Sequence, residues 1–444
     1  MAPNVVLIVC DTMRKDVLGL YGGEARTPSL RLLAKDAMVY DNAIAPSPWT
    51  YPSHVSLFTG LYPSEHGVHE TAKVKLLGLT RYHRVLKAKR LAERFSENGY
   101  STDGISTNVM VSPFTAFDIG FQSFVSLDST PKAKEKWASE VFSEARKLGS
   151  SPGAIAAALL KHGKFSELYR YTKAWMKIRQ LEKVSDYPLD KGAHMINDIF
   201  ANSKWGRHFF KFINFVEMHE PYIGYKPKET WDDFTGIRQI RKSKAKYLKR
   251  QYVLEAEYLD ARLGEIVNTL KRRGVYDDTM LIITSDHGQA FDEHGYMYHN
   301  TYLYDEIIRI PMVIKYPNSK KFPKKSGYQS LVNISNLIKS VMEGGNDGAL
   351  TKETAFSEAY GDVTILPGGY KDRRAYVENK YEKIRKAVYK DKFKLTVNGT
   401  DGTIEEFLEN GKSIDPKYRR DIVKKLLREL AEFKGKESFK MPEV

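Results

Sequence analysis

Three short apolar runs, each stopped by a polar cluster, constrain the fold of this chain more than any other feature. VVLIVC (5–10) runs into Asp11-Thr12, FFKFINFV (209–216) into EMHEPY, and MLIITS (280–285) into DHG. Each is rich in strand-forming residues and too short for a helix, so each reads as a strand buried on both faces. Helix-patterned stretches lie between them. TPSLRLLAKDAMVY (27–40) offers Thr27 as a cap and Pro28 in the first turn, and YVLEAEYLDARLGEIVNTLKRRG (252–274) closes on Gly274. Strands alternating with helices predict an α/β fold built on a doubly wound, mostly parallel sheet. Ligands of such sheets collect beyond the carboxyl ends of the strands, so Asp11, Glu217, His219, Asp286 and His287 are expected to face one crevice.

The 444 residues suffice for a large α/β domain, expected over 1–330, and a smaller α+β subdomain over 331–444. A basic, aromatic, helix-patterned insertion interrupts the alternation at about 128–190, as a lid, a substrate wall or a pair of helices packed on the sheet. AYVENKYEKIRKAVYKDKFKLTV (375–397) alternates like antiparallel strands, NGTDG (398–402) suits a turn, and a basic amphipathic helix is expected at about 415–433. Lys and Arg outnumber Asp and Glu by 70 to 55, a formal charge of +15 that favours an anionic partner. The cations are spread through segments such as KSKAKYLKRQ (242–251), which fits a solvated helix face. No zinc-finger spacing, helix-turn-helix context or stacked aromatic motif points to nucleic acid. No apolar run approaches the ~20 residues that span a bilayer, and no leader pattern opens the chain, so a soluble, cytoplasmic protein is expected. The C-terminal helix could dock on the core, on a second copy or peripherally on an anionic membrane, and oligomeric state is left open. The one cysteine, Cys10, sits in an apolar strand as a small hydrophobe.

Asp11, Asp286 and His287 offer two carboxylates and an imidazole from convergent strand ends, a donor set for a divalent metal. Zn or Mn suits the imidazole, while Mg or Ca also fits the oxygens. PWTYPSHVSLFTGLYP (48–63) has the composition of a turn feeding a helix. Thr50 at that helix entrance would complete the set, because a metal-bound hydroxyl loses its proton readily and becomes a nucleophile. Taken singly, each residue has an ordinary structural explanation, an Asp after a strand being a common helix cap. Arg14 and Asp16 read as a local ion pair or a cap.

PNVVLIVCDTMRKDVLGLYGG, PWTYPSHVSLFTGLYPSEHGV, FINFVEMHEPY and TSDHGQAFDEHGYMYHNTYLYDEIIRIPMVI together resemble the sulfatase branch of the alkaline phosphatase superfamily, over about 3–125 and 190–320. The resemblance implies a nucleophile at Thr50, with Pro52 and Ser53 matching the residues that follow it. It implies metal ligands at Asp11, Asp286 and His287, and contacts to the ester's anionic or leaving group at His219 and His299. True sulfatases carry a Cys or Ser, converted to formylglycine, where this chain has Thr50, and an Arg where it has His54. STNVMVS (106–112) keeps Asn108 as a substrate-binding candidate but lacks the usual Lys and His, and Thr12 replaces the second Asp of the usual pair.

TYPSH is similar instead to the segment of nucleotide pyrophosphatase/phosphodiesterases, which implies phosphoryl transfer. The expected function is therefore metal-dependent hydrolysis or transfer of a small anionic phosphate ester, phosphodiesters first, through a phospho-threonine, with His54, His219 and His299 assisting. Sulfuric ester hydrolysis by unmodified Thr50 and a catalytically silent sulfatase-fold binding protein are the alternatives. One ion is expected, with a second at Glu217, His219 and His299 as the variant. His294 ranks below His299 as a ligand.

Overall fold

Every residue from Val5 to Cys10 is buried; Val5, Leu7 and Val9 join one apolar layer, while Val6, Ile8 and Cys10 join the other. A strand apolar at every position satisfies both faces only inside a sheet covered on both sides. The computed structural model describes residues 3–70, 76–127, 190–222, 240–361, 382–433 and 439–443, with Leu160. The insertion expected at 128–190 lies almost wholly outside them.

Among the described residues a nine-stranded sheet forms from β1 (Asn4–Cys10), β2 (Met38–Ile44), β3 (Ser101–Ser106), β4 (Ser123–Ser126), β5 (Phe209–Phe215), β6 (Thr279–Thr284), β7 (Arg309–Lys315), β8 (Tyr328–Ser330) and β9 (Thr351–Lys352), in the order β9-β8-β2-β7-β6-β1-β5-β3-β4. The block β6-β1-β5-β3-β4 is parallel throughout, and β7 runs antiparallel to both β6 and β2. The predicted doubly wound, mostly parallel sheet is present, and the three apolar runs are its adjacent central strands. The hydrogen bonding of this sheet continues past residue 330, through β8 and β9.

The helix expected over 27–40 stops at Leu33, and Met38–Ile44 is a strand. The apolar spacing there serves β pairing with β7, and tertiary context overrides helix propensity. Thr27 makes no cap bond; its Oγ1 accepts from the Leu20 amide at 3.0 Å. The cap comes from across the fold, where the Asp260 carboxylate accepts from the Ser29 and Leu30 amides at 2.8 and 2.9 Å. Asp260 belongs to the Lys242–Arg272 helix, which extends the expected 252–274 segment and ends just before Gly274, at φ +66°. KSKAKYLKRQ opens this helix, burying Ala245 and Leu248 and exposing Lys242, Lys246 and Arg250.

A second, antiparallel sheet follows: β10 (Thr354–Tyr360), β11 (Ile384–Lys390), β12 (Phe393–Asn398), β13 (Thr403–Glu409) and β14 (Lys412–Ser413), paired in sequence order. The expected turn after β12 carries Gly402 at φ +82°. The amphipathic helix Arg420–Phe433 lays Val423, Leu426 and Leu430 on Val388, Leu395 and Val397 of this sheet, so its apolar face is spent within the chain. No helix among the described residues is long and apolar enough to cross a membrane.

Glu358 of β10 ties this sheet to the first. Its Oε1 pairs with Lys386 Nζ at 2.6 Å, both side chains being buried. Its Oε2 accepts from the Ser64 amide, and its own amide donates to Pro46 O, each at 2.9 Å. Removing one partner of such a pair leaves an uncompensated buried charge. Glu358→Ala is expected to lower the unfolding free energy by about 3–5 kcal/mol in urea titration, and adding Lys386→Met should recover much of the loss; an unchanged midpoint would show that the pair carries no such burden.

Candidate active site

Asp11 follows β1, Asn108 follows β3, His219 follows β5, and Asp286 and His287 follow β6. The register fixes the central pair: Val9 is aligned with Thr284, so two residues farther on each strand bring Asp11 beside Asp286. Thr50 enters from the side as the first residue of the Thr50–Thr59 helix, whose residues are all buried. Pro52 falls in the first turn, where the helix needs no amide donor, so the sequence TYPSH can start a helix despite its proline.

Thr50 Oγ1 stands 3.3 Å from Asp11 Oδ2 and 3.3 Å from His287 Nε2. His287 Nε2 lies 3.6 Å from Asp11 Oδ1 and 3.5 Å from Asp286 Oδ2. These last two carboxylate oxygens are buried without a hydrogen-bond partner. Burial, and then the neighbouring Asp286 charge, push the Asp11 carboxyl up to about 7, against the pull of His219 and His287. Buried, orphaned anionic oxygens beside an imidazole nitrogen and a hydroxyl fit a divalent cation, and Asp11, Asp286 and His287 can present ligand atoms within 4.8 Å of one another.

The backbone at this point is strained. Thr12, where the resemblance expects a second Asp, adopts φ +58°, which costs a β-branched residue about 1–2 kcal/mol. Its amide donates to Asp286 Oδ1 at 3.2 Å, and its carbonyl accepts from the Tyr252 hydroxyl at 2.5 Å.

Asn108 Nδ2 donates to Asp11 Oδ2, and its Oδ1 accepts from the Met110 amide at 2.8 Å, so this side chain holds Asp11 and its own loop. His54 is wholly buried one turn into the helix. Its Nδ1 is 2.9 Å from Thr50 O and 3.5 Å from Asp286 Oδ2, and its Nε2 is 3.2 Å from Asn214 Nδ2. Burial lowers its pKa.

Glu217 does not join the crevice. Its Oε1 accepts from the Ala193 amide at 2.7 Å, at the start of the Ala193–Asn202 helix, and burial followed by the charge of Asp190 pushes its carboxyl up to about 7. The turn after β5 carries the chain over, so Glu220 stands in its place, grouped with His219 and His299. The expected second cluster is thereby corrected from Glu217, His219, His299 to His219, Glu220, His299.

Gln289, which pattern reasoning passes over, links that group. Its Nε2 donates to Glu220 Oε2 at 2.7 Å, and its Oε1 lies 2.6 Å from His299 Nδ1. Its proximity to the DHG motif was the only signal in the sequence. His294 lies apart, 2.9 Å from Glu306 and stacked on Tyr304.

Three histidines share one device. The Nδ1 atoms of His219, His287 and His299 donate to Glu220 O, Gly288 O and Gln289 Oε1, at 2.8, 2.8 and 2.6 Å. Carbonyl oxygens only accept, so the proton sits on Nδ1 and Nε2 is left as the basic atom of each neutral ring. The ring of His299 is centred 4.5 Å from that of His287 and 5.1 Å from that of His219. Burial would lower the pKa of His219, but Glu220 and Asp11 outweigh it and raise it; burial, His287 and His219 hold His299 well down.

The expected Arg14–Asp16 pair forms at 2.7 Å, and Arg14 does more. Its Nη1 donates to Gln289 O at 2.8 Å and pairs with Glu293 at 2.6 Å, clamping the loop after β6 to the turn after β1. Burial would raise the Glu293 carboxyl, yet Arg14 carries it down to about 2 from 4.5. A depressed acid contributes stability above its unfolded pKa and loses it as pH falls through the folded value. Glu293→Gln is therefore expected to destabilise by about 1–2 kcal/mol at neutral pH, the difference from the parent shrinking between about pH 4.5 and 2; a pH-independent difference in chemical denaturation would refute the assignment.

A Sulfatase family model matches residues 3–344. The iduronate 2-sulfatase of Mus musculus is 25% identical over 351 residues, covering 71% of this chain and 60% of that protein. The choline-sulfatase of Rhizobium meliloti (strain 1021) is 23% identical over 342 residues, covering 71% of this chain and 63% of that protein. The chain thus spans about 60% of the length of these relatives. Among solved structures, a putative sulfatase yidJ from Bacteroides fragilis aligns with TM-score 0.62 at 16% identity, over 97% of this chain and 95% of that one. The phosphonate monoester hydrolase of Agrobacterium radiobacter aligns with TM-score 0.62 at 16% identity, over 97% and 94%. At these identities the two structures speak for the fold.

Proposed function

This chain belongs to the sulfatase family, and from that premise we propose that it is a metal-dependent hydrolase or transferase of phosphate esters, phosphodiesters first, with Thr50 as nucleophile. One observation carries the proposal: an unmodified hydroxyl at a helix start, 3.3 Å from both Asp11 and His287. When held by Asp11, Asp286, His287 and Thr50, a divalent ion supplies the positive charge this donor set lacks and a Lewis acid for the hydroxyl, Zn or Mn suiting the imidazole and Mg or Ca the oxygens.

Thr50 Oγ1 gives its proton along the hydrogen bond to Asp11 and attacks phosphorus in line, displacing the ester's leaving oxygen and forming a phospho-threonine. The free amides of the first helical turn favour the negative charge that develops there. His219, its pKa raised, protonates the leaving oxygen and then takes a proton from the water or alcohol that attacks phosphorus, and as the P–Oγ1 bond breaks Asp11 returns its proton to Thr50. His299, held neutral with its proton committed to Gln289, presents Nε2 as an acceptor for a hydrogen bond from the leaving group or from the resolving water or alcohol. His54 and Asn108 act as positioning residues, on Asp286 and Asp11 respectively.

Two alternatives have specific support. The names of the relatives favour sulfuric ester hydrolysis, although formylglycine conversion does not use threonine. The anchored Nε2 atoms of His219 and His299, with Glu220, favour a second ion, which a bound-metal count of two per chain would establish. A catalytically silent binding protein has no need of an intact Asp11, Thr50, Asp286 and His287 set.

Turnover of p-nitrophenyl phosphodiester, phosphate monoester and sulfate across a panel of divalent metals is expected to be fastest on the diester, to vanish with chelator, and to fall at least ~10³-fold in Thr50→Ala. Sulfate release by the parent in preference to phosphorus ester cleavage would overturn the phosphoryl assignment. His219→Gln is expected to slow alkyl esters by about 10²–10⁴-fold and p-nitrophenyl esters far less, since a good leaving group needs no acid; equal losses on both would remove His219 from that role.

A further inference from the structure

The segment 76–92 and the loop after β3 present a surface that is both cationic and apolar. From Leu76 to Ala92 the chain carries Arg81, Arg84, Lys87, Lys89 and Arg90 and no Asp or Glu, and Asn108 to Phe117 carries no charge of either sign. Arg90 is buried beside Glu93, and Lys89 is paired with Glu97. Arg81, Arg84 and Lys87 remain exposed, with no acidic partner among the described residues.

Among these cations Tyr82 and Val85 are 52% and 75% exposed, and Phe114 on the neighbouring loop is 55% exposed. Large exposed hydrophobics scattered singly are ordinary. Here three of the eight found among the described residues lie on one segment and on the loop bonded to it. Their adjacency is bonded in: Arg84 Nη2 donates to Pro113 O at 3.0 Å, and His83 Nδ1 bonds Thr115 O at 2.8 Å, so the segment grips the loop on either side of Phe114.

We propose that this face, Arg81, Tyr82, Arg84, Val85, Lys87 and Phe114, docks on an anionic lipid surface. Both halves of the chemistry are needed for that partner. Cations alone would serve any polyanion, but exposed aliphatic and aromatic side chains gain only where they leave water, as in the headgroup and acyl boundary. The loop that carries Phe114 also carries Asn108, which holds Asp11, and the hydroxyl of Tyr51, next to Thr50, donates to Thr115 O at 3.0 Å. The loop that would meet the membrane is thus hydrogen-bonded to the residue next to Thr50 and to Asp11. That the ester cleaved is a lipid-borne phosphate ester rests on the function proposed above; the docking does not.

The test is co-sedimentation of the full chain with vesicles of phosphatidylglycerol and phosphatidylcholine, against phosphatidylcholine alone. The parent is expected to bind the anionic vesicles, about fivefold more weakly for each of Arg81→Gln and Lys87→Gln. The double variant Val85→Ser, Phe114→Ser should bind about tenfold or more weakly with its charge unchanged. Both sets should turn over soluble p-nitrophenyl esters as the parent does, which shows that they fold. Thr50→Ala should bind vesicles like the parent, so a failure of the catalytic assignment leaves the docking result standing. Absence of binding to anionic vesicles, or binding indifferent to Val85 and Phe114, would overturn the proposal. Capture of soluble polyphosphate with vesicles ignored would overturn it in favour of an anionic polymer.

Discussion

Two carboxylates, Asp11 and Asp286, are held side by side in a fully buried crevice, and the neighbouring structure is organised around their unmet charge. Their closeness is a consequence of register: adjacent parallel strands aligned at Val9 and Thr284 must deliver the residues two positions on to the same place. Burial, and after it the like charge of Asp286, push the Asp11 carboxyl far above its ordinary range. Asn108, the Thr12 amide and His287 each relieve part of that field, yet one oxygen of each carboxylate is still without a hydrogen bond. The arrangement is costly as a bare scaffold and sensible as a cation site.

The nucleophile candidate depends on elements far from it in sequence. The turn leading into the Thr50–Thr59 helix is pinned by Glu358 of the second sheet through Pro46 and by the Asn300 amide through Pro48. Behind the helix, His54 fills the space between Asp286 and Asn214, flanked edge-on by Phe117 and Phe212. On the other side Arg14 fastens the loop that carries Gln289. Strain at Thr12 is sustained because Asp286 and Tyr252 hold both ends of its peptide environment. A rigid support for Thr50, and not a mobile loop, is what preorganised attack on an ester requires.

Much of this could be read before folding. An apolar run of six residues that ends in an acid can be placed as a buried strand with its acid at the carboxyl end, and the three runs here are indeed central neighbours. Asp11, Thr50, Asp286 and His287 converge as their positions at strand and helix ends imply. What failed did so for local reasons. The 27–40 segment has a spacing that a helix and a β-paired strand both satisfy, and β7 decides for the strand after Leu33. Glu217 and Glu220 are equally plausible ligands by type, and only the turn after β5 separates the helix cap from the cluster member.

The sequence by itself determined the central parallel strands, the polar clusters at their ends and the kinds of chemistry those clusters could support, because burial periodicity and residue type act within a few positions of the chain. Tertiary structure alone decided which polar atoms meet. Gln289 became a bridge, His54 a brace, Asn108 a partner of Asp11 and Arg14 a clamp, because each hydrogen bond requires two groups from separate elements to arrive within about 3 Å in the right orientation. That coincidence is set by strand register and helix packing, which no short stretch of sequence contains.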